Sequence, residues 1–118
     1  MVIADDDVDQ REQLREFFVD AGFEVEAYAD GVQLLEALRR RFDAVGSPPE
    51  LVVTDVRMPG ADGLKVISRL RDFDRMTRVV IITGDPNLEA RAMAAILHAE
   101  LMEKPLKPDQ LRQMAFGR

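Results

Sequence analysis

The chain has 118 residues, enough to bury a core without disulfide staples, and its 47% hydrophobic and 32% charged composition excludes disordered and fibrous classes. Its 22 acidic against 16 basic side chains give a formal charge of −6, which excludes direct nucleic-acid binding by this domain, since phosphate contacts need clustered Lys and Arg. With no Cys there is neither a disulfide nor a thiolate metal site. The longest apolar runs, such as Val79 to Ile82, fall far short of a membrane span, and no cationic, apolar leader precedes the first acidic cluster. The expected location is therefore the cytoplasm, without membrane attachment.

Val2-Ile3-Ala4 is a short apolar run that stops at Asp5-Asp6-Asp7, the pattern of a buried strand ending at an acidic edge. Leu14, Phe17, Phe18 and Ala21 fall at helical spacing, and Gly22 follows as a left-handed stop. Phe23 to Tyr28 alternates apolar with polar and predicts a strand near a sheet edge. Asp30 caps a second helix whose predicted inward face is Val32, Leu35, Leu38 and Phe42, and Gly46-Ser47-Pro48-Pro49 breaks it. Leu51 to Asp55 is apolar on both faces and predicts a central parallel strand with Asp55 at its C-terminal end.

A Pro59-Gly60 turn leads to a helix carrying Leu64, Ile67, Leu70 and Phe73, and Val79 to Thr83 repeats the buried-strand pattern. Asp85 as a cap and Pro86 in the first turn predict the start of a helix running through Leu88, Ala92, Ala95 and Ile96. Glu100 to Glu103 predicts a brief last strand that delivers Lys104-Pro105, and Pro108 opens a final helix using Leu111 and Met114. Strict alternation of strands and helices forces parallel pairing through right-handed crossovers. The predicted architecture is an open, doubly wound α/β sandwich with a five-stranded parallel sheet and five helices.

In such folds the functional crevice lies outside the carboxyl ends of the strands. Asp5-Asp6, Asp55, Thr83 and Lys104 all stand at strand ends. Converging carboxylates repel unless something neutralises them, and an oxygen-only set without His or Cys favours Mg²⁺. Asp6 and Asp55 are the expected direct ligands, with Asp5 acting through a water. A carboxylate beside such a metal can attack phosphorus, which makes Asp55 the candidate nucleophile, with Lys104 and Thr83 placed to stabilise charge on the phosphoryl oxygens. Asp7 and Asp9 read as helix caps or first-turn acids, and the lone His98 as a surface residue at a helix end.

In this order and register the residues resemble the response-regulator receiver domains of bacterial two-component signalling. The resemblance runs through Asp5-Asp6, Asp55 with Met58-Pro59-Gly60 and Asp62-Gly63, Thr83 after a hydrophobic strand, and Lys104-Pro105. It implies a flavodoxin-like strand order 2-1-3-4-5 and a single receiver domain over 1–118, or a fragment of a longer regulator or hybrid kinase. It implies that Asp55 takes a phosphoryl group from a sensor histidine kinase or a histidine phosphotransfer protein. Asp6, Asp55 and the backbone carbonyl of Arg57 would bind Mg²⁺. It further implies a cis Lys104-Pro105 peptide and a switching face formed by the fourth helix, fifth strand and fifth helix. A phosphorylation-dependent homodimer is among the assemblies it implies.

Several positions depart from the family pattern, among them a longer loop through Pro48-Pro49. Leu101 stands where a switch aromatic is usual, and Leu97-His98-Ala99 replaces the usual Gly-Ala before the last strand. Arg57 and Asp85 are expected to pair across the pocket mouth. The reading is a signalling phosphoacceptor rather than an enzyme acting on a separate metabolite. The alternatives are a pseudo-receiver, which keeps the fold as an interaction module without turning over phosphate, and a metal-dependent phosphohydrolase, which needs a second positioned acid and a substrate cap.

Overall fold

The structure is a computed structural model that describes residues 1–44 and 48–117. Val45, Gly46 and Ser47 lie outside the described residues, and with them Gly46-Ser47 of the predicted break after the second helix. Five strands alternate with five helices: β1 (Val2–Ala4), α1 (Val8–Asp20), β2 (Glu26–Tyr28), α2 (Gly31–Asp43), β3 (Leu51–Asp55), α3 (Gly63–Phe73), β4 (Arg78–Thr83), α4 (Leu88–Ile96), β5 (Glu100–Glu103) and α5 (Pro108–Phe116). All neighbouring strands pair parallel, in the order β2-β1-β3-β4-β5. The doubly wound sandwich expected from the alternation is the observed fold.

The strands read as unbroken apolar runs because both faces of the sheet are covered. Val2, Ala4, Val52, Val79 and Ile81 point into one layer, where they meet Leu34, Leu38, Val66, Ile67, Leu70, Ala94 and Leu97 of α2, α3 and the end of α4. Ile3, Leu51, Val53, Val80 and Ile82 point into the other, against Leu14 and Phe18 of α1 and Met114 of α5. Phe18 is fully buried between the edge-on rings of Phe17 and Phe23, whose centroids lie 5.3 Å and 5.4 Å away. Phe23 thus serves the core ahead of β2, which is confined to Glu26–Tyr28 rather than beginning at Phe23.

The second helix presents a different face from the predicted one, and the fourth buries other residues than the apolar ones that mark it in the sequence. In α2, Leu38 is buried and Leu35 packs against the core, whereas Val32 is 48% and Phe42 39% exposed. The buried positions are Gly31, Leu34, Ala37 and Leu38. Gly31 sets this phase, because a Cβ there would lie 2.0 Å from the Ala61 carbonyl oxygen. Phe42 packs instead on the ring of Phe73, 5.1 Å between centroids.

In α4, Leu88 is 85% and Ile96 69% exposed, Ala92 and Ala95 are also outward, and Ala90, Ala94 and Leu97 face the sheet. Asn87 caps this helix through the Ala90 amide, so Asp85 and Pro86 belong to the loop before it and the inward stripe falls on different residues.

The remaining punctuation agrees with the sequence. Gly22 has φ +97°, Asp7 caps α1 by accepting the amides of Asp9 and Gln10, and the Lys104-Pro105 peptide is cis. No helix is long and apolar enough to cross a membrane among the described residues.

Candidate functional site

The parallel sheet carries β1, β3, β4 and β5 to a common C-terminal edge, and the residues just past those ends form one open pocket. It has a volume of about 420 Å³ and is lined by Asp6, Asp55, Arg57, Thr83, Gly84, Asp85 and Lys104. Asp5 lies beneath it, fully buried. The structure therefore brings together every site residue expected from the sequence.

Lys104 reaches across from β5 to β3 and β1. Its Nζ donates to Asp55 Oδ2 at 2.6 Å and stands 3.7 Å from Asp5 Oδ2. Burial alone would lower the Lys104 ammonium, but the Asp55 hydrogen bond and the charges of Asp5, Asp55 and Asp6 hold it above its ordinary value. Its main chain is fixed as well, since the Lys104 N–H donates to the Thr83 carbonyl at 2.8 Å.

One oxygen from each of Asp5, Asp6 and Asp55 lies within 4.8 Å of the others. Burial pushes the Asp5 carboxyl up to about 6, against the lowering effects of the Asp7 amide and Lys104. Asp5 Oδ1 accepts the Asp7 amide at 3.0 Å, while Oδ2 is buried with no hydrogen-bond partner. An orphaned anionic oxygen in a set of carboxylates without His or Cys fits a hard divalent cation, directly or through water. The donor set matches the Mg²⁺ expectation.

Local backbone geometry positions Asp55. Its Oδ1 accepts the Arg57 amide at 3.3 Å, and the Gly63 amide donates to the Val56 carbonyl at 2.7 Å, folding the β3–α3 loop back over the strand end. A Cβ on Gly63 would fall 2.0 Å from the Asp55 carbonyl oxygen, so this close approach requires glycine. Thr83 is nearly buried, and its Oγ1 accepts the Asp85 amide at 3.1 Å.

Arg57 and Asp85 line the same pocket, but no ion pair joins them among the described residues. The expected pairing across the mouth is not made. Sequence reading also missed Arg11, whose Nη1 donates to the Asp5 carbonyl at 2.8 Å. The available signal was a cation near the first turn of a helix, where the helix dipole favours acids.

A family model of the response regulator receiver domain matches residues 1–116. The chain belongs to this family. It is 29% identical to the sporulation initiation phosphotransferase F of Bacillus subtilis, over 95% of this chain and 86% of that protein. To the transcriptional regulatory protein FixJ of Bradyrhizobium diazoefficiens it is 33% identical, over 95% of this chain and 52% of FixJ. It spans 34% of the regulator of RpoS from Escherichia coli, at 32% identity over 99% of this chain.

Among solved structures, a chain of the CheX-CheY-BeF3-Mg+2 complex from Borrelia burgdorferi superposes with a TM-score of 0.86 at 25% identity, covering 98% of this chain and 85% of that one. A response regulator receiver protein from Sinorhizobium medicae gives 0.82 at 29% identity, over 97% and 88%. As a receiver domain of two-component signalling, this chain has its acidic pocket at the sheet edge where the strand order reverses.

Proposed function

We propose that residues 1–118 act as one phosphoacceptor receiver domain in which Asp55 takes a phosphoryl group from the phosphohistidine of a sensor histidine kinase or histidine phosphotransfer protein. The observation that carries this reading is Lys104 Nζ at 2.6 Å from Asp55 Oδ2 beside the cluster of Asp5, Asp6 and Asp55. An Asp55 carboxylate oxygen bonds to phosphorus as the N–P bond of the donor breaks, and its electron pair returns to the imidazole nitrogen. Hydrolysis removes the group: a water oxygen bonds to phosphorus, the bond to Asp55 breaks with its electron pair returning to the carboxylate, and inorganic phosphate and a proton from the water leave.

Asp6, Asp55 and the Arg57 carbonyl would hold Mg²⁺, with Asp5 acting through a water. When bound, that ion supplies positive charge against the phosphoryl oxygens. Lys104 is already placed to follow a phosphoryl oxygen, exchanging its Asp55 hydrogen bond for one to the new anion. Thr83 turns its hydroxyl to donate to that group, giving up the Asp85 amide that it now accepts. This local rearrangement shifts the α4–β5–α5 face, where Arg91, Leu101, Glu103 and Gln113 line one pocket and where a phosphorylation-dependent homodimer would form.

The domain is a signalling acceptor that promotes its own phosphorylation and dephosphorylation. A pseudo-receiver role draws on Leu101, which packs against the core in place of a ring that could rotate. Incubation with acetyl phosphate and Mg²⁺ followed by intact mass separates the two. The expected result is a labile adduct of one phosphoryl group, lost in Asp55→Asn. No adduct with any donor establishes the interaction module instead, and steady phosphate release from an unrelated ester establishes a hydrolase.

A further inference from the structure

Asp5 is held at three points. Its N–H donates to the Tyr28 carbonyl at 3.1 Å, its Oδ1 accepts the Asp7 amide at 3.0 Å, and its carbonyl accepts Arg11 Nη1 at 2.8 Å. The third bond is unusual in origin. Pairing of β1 with β2 ends at Ala4 and Tyr28, so no strand amide continues the ladder to the Asp5 carbonyl. Left alone, that carbonyl would be a buried acceptor without a donor. Arg11 on α1 supplies the donor from six residues along the chain.

The location of Arg11 runs against local preference. It is the fourth residue of α1, next to an end where the helix dipole favours anions, and the N-cap Asp7 and first-turn Asp9 follow that rule. A residue that breaks a local rule is best explained by what it touches elsewhere. Helical side chains lean toward the N-terminus, which brings this guanidinium back over the end of β1. There it fixes the plane of the Asp5-Asp6 peptide, because the carbonyl of Asp5 and the amide of Asp6 share one rigid unit. The direction in which Asp6 leaves the strand is set by that plane.

We infer that Arg11 is a positioning residue for the cation end of the pocket: it acts through the Asp5 carbonyl and holds the Asp5 and Asp6 carboxylates in register with Asp55. This inference rests on the functional reading above, in which those carboxylates serve Mg²⁺. Asp5 Oδ2, the one polar atom of Asp5 without a hydrogen bond, is thereby kept facing Lys104 at 3.7 Å.

The sign of the effect separates positioning from simple electrostatics. Removing a cation near three carboxylates favours Mg²⁺ by Coulomb attraction alone, whereas releasing the Asp5-Asp6 peptide weakens Mg²⁺ binding. The test is a Mg²⁺ titration of the full chain by calorimetry, for wild type, Arg11→Met and Arg15→Met. Arg15 is a control on α1 that pairs only with Glu12 among the described residues. The expected result is an affinity about tenfold lower in Arg11→Met and unchanged in Arg15→Met.

Unchanged or tighter binding in Arg11→Met, or equal weakening in both variants, overturns the inference while leaving the functional reading in place. A wild type that binds no Mg²⁺ overturns the functional reading and the inference with it. If Arg11→Met does not fold, Arg11→Lys carries the test, since it keeps the charge but loses the planar reach to the carbonyl. Weaker binding then supports the role of Arg11, and wild-type affinity overturns it.

Discussion

Asp5 sets stability against site chemistry. Burial pushes its carboxyl up to about 6, whereas an unfolded Asp titrates near about 3.9. Between those values the folded chain keeps a proton that the unfolded chain has released, so stability falls as pH rises through this window. Asp5→Asn removes the buried charge and is expected to raise the unfolding free energy of the metal-free protein by about 1–2 kcal/mol near neutral pH. The gain should vanish below about pH 4, where both states of the wild type are protonated. Chemical denaturation across this range checks it, and a variant less stable at neutral pH would contradict it. Mg²⁺ affinity should move the other way, weakening as pH falls below about 6, because protonated Asp5 no longer offers a charge to the cation or its water.

Gly63 is a second residue at which backbone and chemistry are tied. The Cβ of Gly63→Ala would meet the Asp55 carbonyl oxygen at 2.0 Å, and backbone rather than a flexible side chain stands in the way. The expected cost is about 2–3 kcal/mol in unfolding free energy, together with a lower yield of adduct from acetyl phosphate. An unchanged unfolding midpoint would show that the β3–α3 loop yields without strain.

Among the elements, α4 is closed at its C-terminal end both by its own backbone and by a side chain of α3. It ends in a Schellman arrangement: the His98 amide donates to the Ala95 carbonyl, the Ala99 amide to the Ala94 carbonyl, and His98 occupies the left-handed region at φ +53°. This resolves the departure at Leu97-His98-Ala99, since His98 takes the conformation that glycine usually serves. His98→Gly is expected to stabilise the domain by up to about 1 kcal/mol, the relief of a left-handed side chain less the extra freedom of glycine when unfolded. A lower thermal midpoint would contradict that.

Arg71 of α3 then caps the same end, its Nε donating to the Leu97 carbonyl at 2.8 Å and its other nitrogens to the carbonyls of His98 and Asp74. Arg71→Met should cost about 2 kcal/mol, read by denaturant unfolding, because charge-assisted bonds to several carbonyls are lost together. A loss below about 0.5 kcal/mol would assign those carbonyls to water instead.

The helices α2 and α4, whose buried residues differ from the apolar residues that mark them in the sequence, explain where sequence pattern is informative. β3 and β4 are apolar on both faces, and no alternative phase exists for a strand buried from both sides. α2 and α4 carry apolar residues on more than one face, so spacing alone offers two phases. The choice falls to Gly31 against Ala61 in one helix and to the Asn87 cap in the other.

At the scale of the whole molecule, the fold makes a site by bringing short segments together. Asp5-Asp6, Asp55, Thr83 and Lys104 are far apart in sequence and each ends or follows a strand, so the sheet order converts separate signals into one pocket. That convergence was legible because the chemistry-bearing residues stand at abrupt ends of apolar runs. Arg11 was not, because a side chain bonded to a backbone carbonyl leaves no periodic trace. The missing Arg57–Asp85 pair was equally beyond sequence, since sharing a pocket wall does not fix the distance between two long or exposed side chains.

The most direct test of the account is chemical mapping of the phosphorylated residue. The protein is treated with acetyl phosphate and Mg²⁺, the acyl phosphate is reduced with borohydride, and the converted residue is located by peptide mass. Homoserine at position 55 alone is the predicted result. Conversion at Asp5 or Asp6, or none at any position while the same treatment labels an established receiver domain, would contradict the assignment of Asp55 as the phosphoryl acceptor.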